Sequence, residues 1–171
     1  NMTLCKMNTL IVWDDYLPVN AKEMIAYAHE NNIKVIWGFS WLWDTGFSTV
    51  TRDVIDAGLE TIVKKYKDEY STLGGDGIYF QSFTELKTDT LNGMLVADAV
   101  TEFVNNTAKK IFEITPDLEL QFGLHATSVK EKTEYIAKVD PRIRIVWEDC
   151  GAFPFKNKKK VLIFSYQNLS F

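Results

Sequence analysis

Gly77-Ile78-Tyr79-Phe80-Gln81-Ser82-Phe83-Thr84-Glu85 is the stretch that decides the fold. It is apolar and aromatic, follows the glycine-rich lead-in Gly74-Gly75-Asp76, and ends on a carboxylate. That is the pattern of a buried strand that delivers an acid to a loop. The layout recurs in Leu10-Ile11-Val12-Trp13-Asp14-Asp15, Val35-Ile36-Trp37-Gly38-Phe39-Ser40, Leu120-Gln121-Phe122-Gly123-Leu124-His125 and Ile143-Arg144-Ile145-Val146-Trp147-Glu148-Asp149. Five strands therefore run from apolar residues into polar ones.

The gaps between them are helical. Asn20 followed by Glu23 resembles a capping pair, which predicts a helix from Ala21 to Asn31. Ile55, Leu59, Ile62, Tyr66 and Tyr70 recur at helical spacing and predict a long amphipathic helix from about Val50 to Tyr70. Val96, Val100, Phe103, Thr107, Ile111 and Ile114 repeat that spacing until Thr115-Pro116, where proline disfavours helical geometry in the residue before it. Ser128-Val129-Lys130-Glu131 reads as a capping box for a short helix ending near Ala137. A last candidate strand, Val161 to Tyr166, brings the count to six.

Alternation of this kind predicts parallel strands covered by helices, because parallel neighbours need a crossover connection. The expected fold class is α/β, a single domain over residues 1–171, of the (β/α)8 barrel type. A full barrel takes about 250 residues, so six strands make it an incomplete one. An open doubly wound sheet is the alternative. It is disfavoured because no Gly-x-Gly-x-x-Gly follows the first strand and no Walker-type loop exists. Polar or acidic residues end all five main strands instead, as in barrels that build their sites at that rim.

The 171 residues carry a net charge of -4 with a pI near 5.2, which argues against nucleic acid or an anionic membrane surface as a partner. The basic run Lys156-Asn157-Lys158-Lys159-Lys160 reads as a solvated loop. No apolar run reaches the roughly 20 residues that span a bilayer. Nothing at the start has the layout of a signal peptide, so the expected location leans cytoplasmic. Cys5 and Cys150 exclude a disulfide scaffold while leaving a single bridge open. The sequons at Asn1, Asn105 and Asn168 carry no weight, since Asn105 falls within a predicted helix.

Strand alternation suggests which side chains line a barrel. With Leu120, Phe122 and Leu124 facing the helices, Glu119, Gln121, Gly123 and His125 point inward. With Ile143, Ile145 and Trp147 outward, Arg144, Val146 and Glu148 turn inward. Ile78 and Phe80 outward put Gln81 and Glu85 inward, although Phe83 shares the parity of Glu85. Glu85 and Glu148 then sit two strands apart, of order 9 Å at roughly 4.8 Å per strand. Two carboxyls at such a separation suit glycosidic hydrolysis with an intervening water, whereas a pair roughly 5 Å apart works through a covalent intermediate. Aromatic surroundings raise the pKa of a carboxyl by desolvation, which favours Glu85 as the acid. Trp41, Trp43, Tyr16 and Phe153 follow strand ends, where flat rings can cover sugar faces or merely cap the core.

At Asp76 to Glu85 and at Ile145-Val146-Trp147-Glu148-Asp149-Cys150-Gly151 the chain resembles the catalytic barrel of glycoside hydrolases of the α-glucuronidase and β-N-acetylhexosaminidase kind. The resemblance implies that Glu85 ends the fourth barrel strand, the usual place of the general acid. Thr84-Glu85 stands where hexosaminidases have an Asp-Glu pair, a departure that argues against substrate-assisted chemistry on an acetamido sugar.

The leading expectation is thus a glycosidase-type barrel acting on or binding carbohydrate. Glu85 and Glu148 are its catalytic carboxylates, and Asp14, Asp15, Trp41, Trp43, Gln81, His125 and Asp149 contact the sugar, with no metal or other cofactor. A metal-dependent hydrolase or lyase using Asp14, Asp15, His125 and Glu148 is a weaker alternative, because the chain has two histidines and no His-x-His or His-Glu-x-x-His spacing. The third reading is a non-catalytic sugar-binding or structural fragment whose remaining barrel segments come from a longer chain or another subunit.

Overall fold

The computed structural model describes residues 2–14, 16–43, 45, 50–86, 88–125 and 132–148. After a 3-10 turn at Thr3–Cys5 come β1 (Thr9–Trp13), α1 (Ala21–Glu30), β2 (Lys34–Trp41) and α2 (Arg52–Lys65), which passes into a π-helical turn at Tyr66–Tyr70. Then follow β3 (Gly77–Ser82), a hairpin of β4 (Thr90–Leu91) and β5 (Met94–Leu95), α3 (Val96–Ile114), β6 (Glu119–His125), α4 (Thr133–Ile136) and β7 (Ile143–Glu148). The candidate strand Val161 to Tyr166 and the capping box at 128–131 lie outside the described residues.

Helix boundaries follow local chemistry. Thr51 caps α2 by accepting the Val54 N–H on its hydroxyl at 3.3 Å. Asn20, in contrast, makes no side-chain cap bond to α1, so the expected capping pair with Glu23 does not form. α3 ends at Ile114, before Thr115-Pro116, as expected. Between β3 and α3 stands a hairpin that neither strand alternation nor helical spacing predicts. It turns on Asn92 and Gly93, both at positive φ (50° and 78°), the pairing that a two-residue hairpin turn favours.

The five main strands form one sheet, ordered β1-β2-β3-β6-β7, in which every pair is parallel. A doubly wound sheet reverses its strand order at a switch point. Here the order simply advances along the chain, and the helices share one core with one face of the sheet. Ile25 and Ala28 of α1, Ile55 and Ile62 of α2, and Val100, Phe103, Val104 and Ile111 of α3 pack against Val35, Trp37, Phe39, Ile78, Phe80, Leu120, Phe122 and Ile145. This is the wall of a (β/α) barrel, with five strands among the described residues, and the open-sheet alternative is excluded.

The expected alternation holds on β6: Leu120, Phe122 and Leu124 join the helix-facing core, while Glu119 and Gln121 sit on the other face. On that inner face a polar cluster occupies the N-terminal end. Glu119 receives Lys34 at 3.3 Å, Arg144 at 3.0 Å and Gln121 Nε2 at 2.6 Å. Three strands are thereby linked through one carboxylate.

Asp76 fixes how the strands start. Its carboxylate accepts from the Val35 N–H at 2.7 Å and meets His29 Nε2 at 2.8 Å, and its backbone N–H donates to the Val35 carbonyl at 2.9 Å. His29 is therefore a clasp between the end of α1 and the start of β3. The next residue, Gly77, lies opposite Glu119 in the β3–β6 register, and a Cβ placed there would stand 2.3 Å from the Glu119 carbonyl oxygen. Asn105 on α3 holds the approach to β7, accepting the Asp140 N–H at 2.8 Å and donating to the Lys138 carbonyl at 2.9 Å. Arg142, hydrogen-bonded to Asp140 through side chain and backbone, holds that carboxyl below its ordinary range against the opposing effect of burial. Because the folded value is the lower one, this pair stabilises the protein at and above the ordinary carboxylate range and stops doing so as the pH falls below that range and through the lowered folded value.

Gly77→Ala is expected to destabilise the protein by at least about 2 kcal/mol, since the obstacle is backbone that cannot repack locally. Chemical denaturation measures this, and a loss below about 0.5 kcal/mol would show that β6 does not approach β3 so closely.

Candidate functional site

The C-terminal ends of the strands make the mouth of the barrel wall. Trp13, Gly38, Tyr79, Gln121 and Arg144 lie in one register row, and beyond it β2 runs on to Trp41, β6 to His125 and β7 to Glu148. Such progressive overrun is what tilted barrel strands produce.

Alternation breaks just past β3. The Thr84 N–H donates to the Ser82 carbonyl at 2.7 Å, a tight turn that sends Phe83 into the helix layer, where it packs on Phe103 with ring centroids 5.8 Å apart. This settles the parity conflict between Phe83 and Glu85. Phe83 is core, and Glu85, past the turn, reaches across to β6, where its Oε1 directly meets Nδ1 of His125. Glu85 and His125 keep 32% and 23% of their side-chain surface exposed, so the pair is shielded yet accessible from the mouth.

Glu148 occupies the register position beside His125. β3 and β7 both flank β6, so Glu85, in the segment after β3, and Glu148, at the end of β7, follow strands two positions apart in the sheet. Gln81 lies on the face of Tyr79 and donates to its hydroxyl at 3.0 Å. Asp14 is exposed at the end of β1, where its backbone N–H donates to the Gly38 carbonyl at 3.3 Å. Asp15, Asp149 and Phe153 lie outside the described residues.

The tryptophans divide. Trp43 is 40% exposed, with its N–H on the Ser40 hydroxyl at 3.0 Å. Trp41, expected to contact sugar, instead belongs to the core. It is fully buried and stacks on Phe80 at 3.7 Å between centroids, which in turn stacks on Phe122 at 4.9 Å. Its odd parity with Val35, Trp37 and Phe39 sends it to the helices, a reason already present in the strand pattern.

Trp13 is the aromatic that strand reading passed over. It alternates with Leu10 and Val12, which puts it on the inner face, where it is 40% exposed and meets both Tyr79 and Trp43 edge-on. Among the described residues no three His, Cys, Asp or Glu side chains gather closely enough to hold a metal ion. No helix among them is long and apolar enough to cross a membrane.

No protein-family model matches the chain, and no curated protein does. Solved structures do. The structure of CpGH84D aligns over 83% of this chain and 26% of its own, at 17% identity and a TM-score of 0.58. D-psicose 3-epimerase with D-tagatose, from Clostridium cellulolyticum, aligns over 85% of this chain and 55% of its own, at 14% identity and a TM-score of 0.60. A family GH13_31 enzyme aligns over 81% of this chain and 44% of its own, at 11% identity and a TM-score of 0.50. These likenesses establish the barrel fold, of which the chain spans a quarter to a little over half of each neighbour's length.

Trp41→Ala should cost about 3 to 5 kcal/mol by opening a cavity in the aromatic stack, while Trp43→Ala should stay within about 1 kcal/mol. Urea unfolding of the two variants checks the division, and the reverse order would refute it.

Proposed function

We propose that the chain is the acid-bearing wall of a carbohydrate-active barrel and takes part in glycoside hydrolysis. The observation that carries this reading is the contact between Glu85 and His125 at the strand-end rim, with Glu148 next in register. The barrel neighbours support it, one of them a sugar epimerase and others bearing glycoside hydrolase family names.

In this reading Glu85 gives its proton to the glycosidic oxygen as the bond to the anomeric carbon breaks. Glu148 takes a proton from the attacking water, or attacks the anomeric carbon itself if the carboxyls close to roughly 5 Å. In the first case Glu148 releases its proton to bulk water and His125, touching Glu85 through Nδ1, passes one from bulk water back to Glu85. In the second Glu85 recovers its proton from the water that hydrolyses the glycosyl-enzyme. In both His125 holds the carboxyl toward the mouth. Asp14, Asp15, Gln81 and Asp149 bind hydroxyls. The edge strands β1 and β7 each pair on one side only within the described sheet, so the remaining barrel segments, from further chain or another subunit, complete the cleft.

Glu85→Gln tests the assignment. It should lower hydrolysis of a panel of aryl glycosides by at least about 100-fold, with the unfolding midpoint unchanged because the side chain is partly exposed. Wild-type turnover in that variant would remove Glu85 from the chemistry.

A further inference from the structure

The β1 side of the mouth carries a second arrangement that the acid-base pair does not use. Trp13, the last residue of β1, lies beside Gly38 of β2, and Gly38 lies beside Tyr79 of β3. A Cβ at Gly38 would stand 2.8 Å from Cε3 of Trp13. Glycine there lets the indole lie across β2 and reach the Tyr79 ring, with centroids 5.7 Å apart and planes at 73°. Trp43, whose backbone N–H donates to the Ser40 hydroxyl, meets Trp13 at 6.4 Å with the planes 88° apart.

Two indoles at right angles, each 40% exposed, form a corner rather than a flat patch. A pyranose has one face of C–H groups and a rim of hydroxyls. One indole can take the C–H face while the other takes the ring edge, and polar groups flank both. Asp14 follows Trp13 directly, and Gln81, bonded to the Tyr79 hydroxyl at 3.0 Å, stands on the same sheet face. A further barrel strand is the poorer occupant, because Trp43 lies past the end of β2, beyond the span that strand pairing lines.

We propose that Trp13 and Trp43 form a stacking subsite for one neutral pyranose unit of an oligosaccharide. The subsite rests on the carbohydrate reading above but not on Glu85 being the acid. β1 stands three strands from β6, where the Glu85 carboxyl meets His125, roughly 14 Å away. The unit held at the corner is accordingly a different one from that at the carboxyl, and the substrate is an oligosaccharide rather than a simple glycoside.

The test titrates the Glu85→Gln protein with cellohexaose, chitohexaose, xylohexaose and maltohexaose, followed by calorimetry and tryptophan fluorescence. At least one should bind and perturb the emission. Trp43→Ala and Trp13→Ala, each added to that background, should weaken its binding about tenfold, and Trp43→Phe should restore most of the affinity. Trp43 is exposed, so its variants remain informative should Trp13→Ala lose stability. Absence of binding by all four sugars, or binding within about twofold of the parent in Trp43→Ala, would overturn the subsite. If Glu85→Gln leaves hydrolysis intact while Trp43→Ala still weakens binding, the subsite stands and the acid assignment falls.

Discussion

The seam between β3 and β6 runs from Gly77 opposite Glu119 to Phe80 opposite Phe122, and the mouth is built on it. Residues 83–118, hairpin and helix, separate these strands in the chain, and only their parallel pairing brings the segment carrying Glu85 beside the end of β6. The seam is close at its start because residue 77 has no side chain, and it is tied there by Asp76, whose carbonyl accepts the Glu119 N–H at 3.3 Å. At its far end Glu85 and His125 meet. A slip of one residue would turn every side chain of one strand to the opposite face. The Phe80–Phe122 stack resists that slip on the helix side, since both rings would leave the core together.

The two ends of the sheet are chemically unlike. At the N-terminal end Glu119 gathers Lys34, Arg144 and Gln121, a cluster whose partial exposure limits it to about 1 kcal/mol per pair but which fixes three strands in register. At the C-terminal end lie Glu85, His125, Gln81 and the exposed indoles of Trp13 and Trp43. In barrels the first end serves stability and the second serves chemistry, because strands converge there with their loops free to vary. Here the ion-paired cluster stands at the first of these ends.

Much of this was legible in the chain. Strand positions, the end of α3 at Thr115-Pro116 and the inward set on β6 follow from alternation and proline geometry alone. The open-sheet alternative required strand order, which no local pattern carries. Trp41 continues the helix-facing parity of Phe39, a strand signal that outweighs its place next to the loop, and the alternation of Trp13 with Val12 marks it as inward. The hairpin around Asn92-Gly93 had its signal in that dipeptide. The turn after Ser82 had none, since a bond between residues two apart leaves no periodic trace, and it is this turn that aims Glu85.

The contact across the seam can be observed directly. Nδ1 of His125 and the Glu85 carboxyl share one contact whichever of the two holds the proton, so the Nδ1 resonance in long-range proton–nitrogen correlation of the labelled protein should move when Glu85→Ala removes the partner. An Nδ1 resonance unchanged by that substitution would mean that Glu85 and His125 do not meet and that the mouth is not assembled as described.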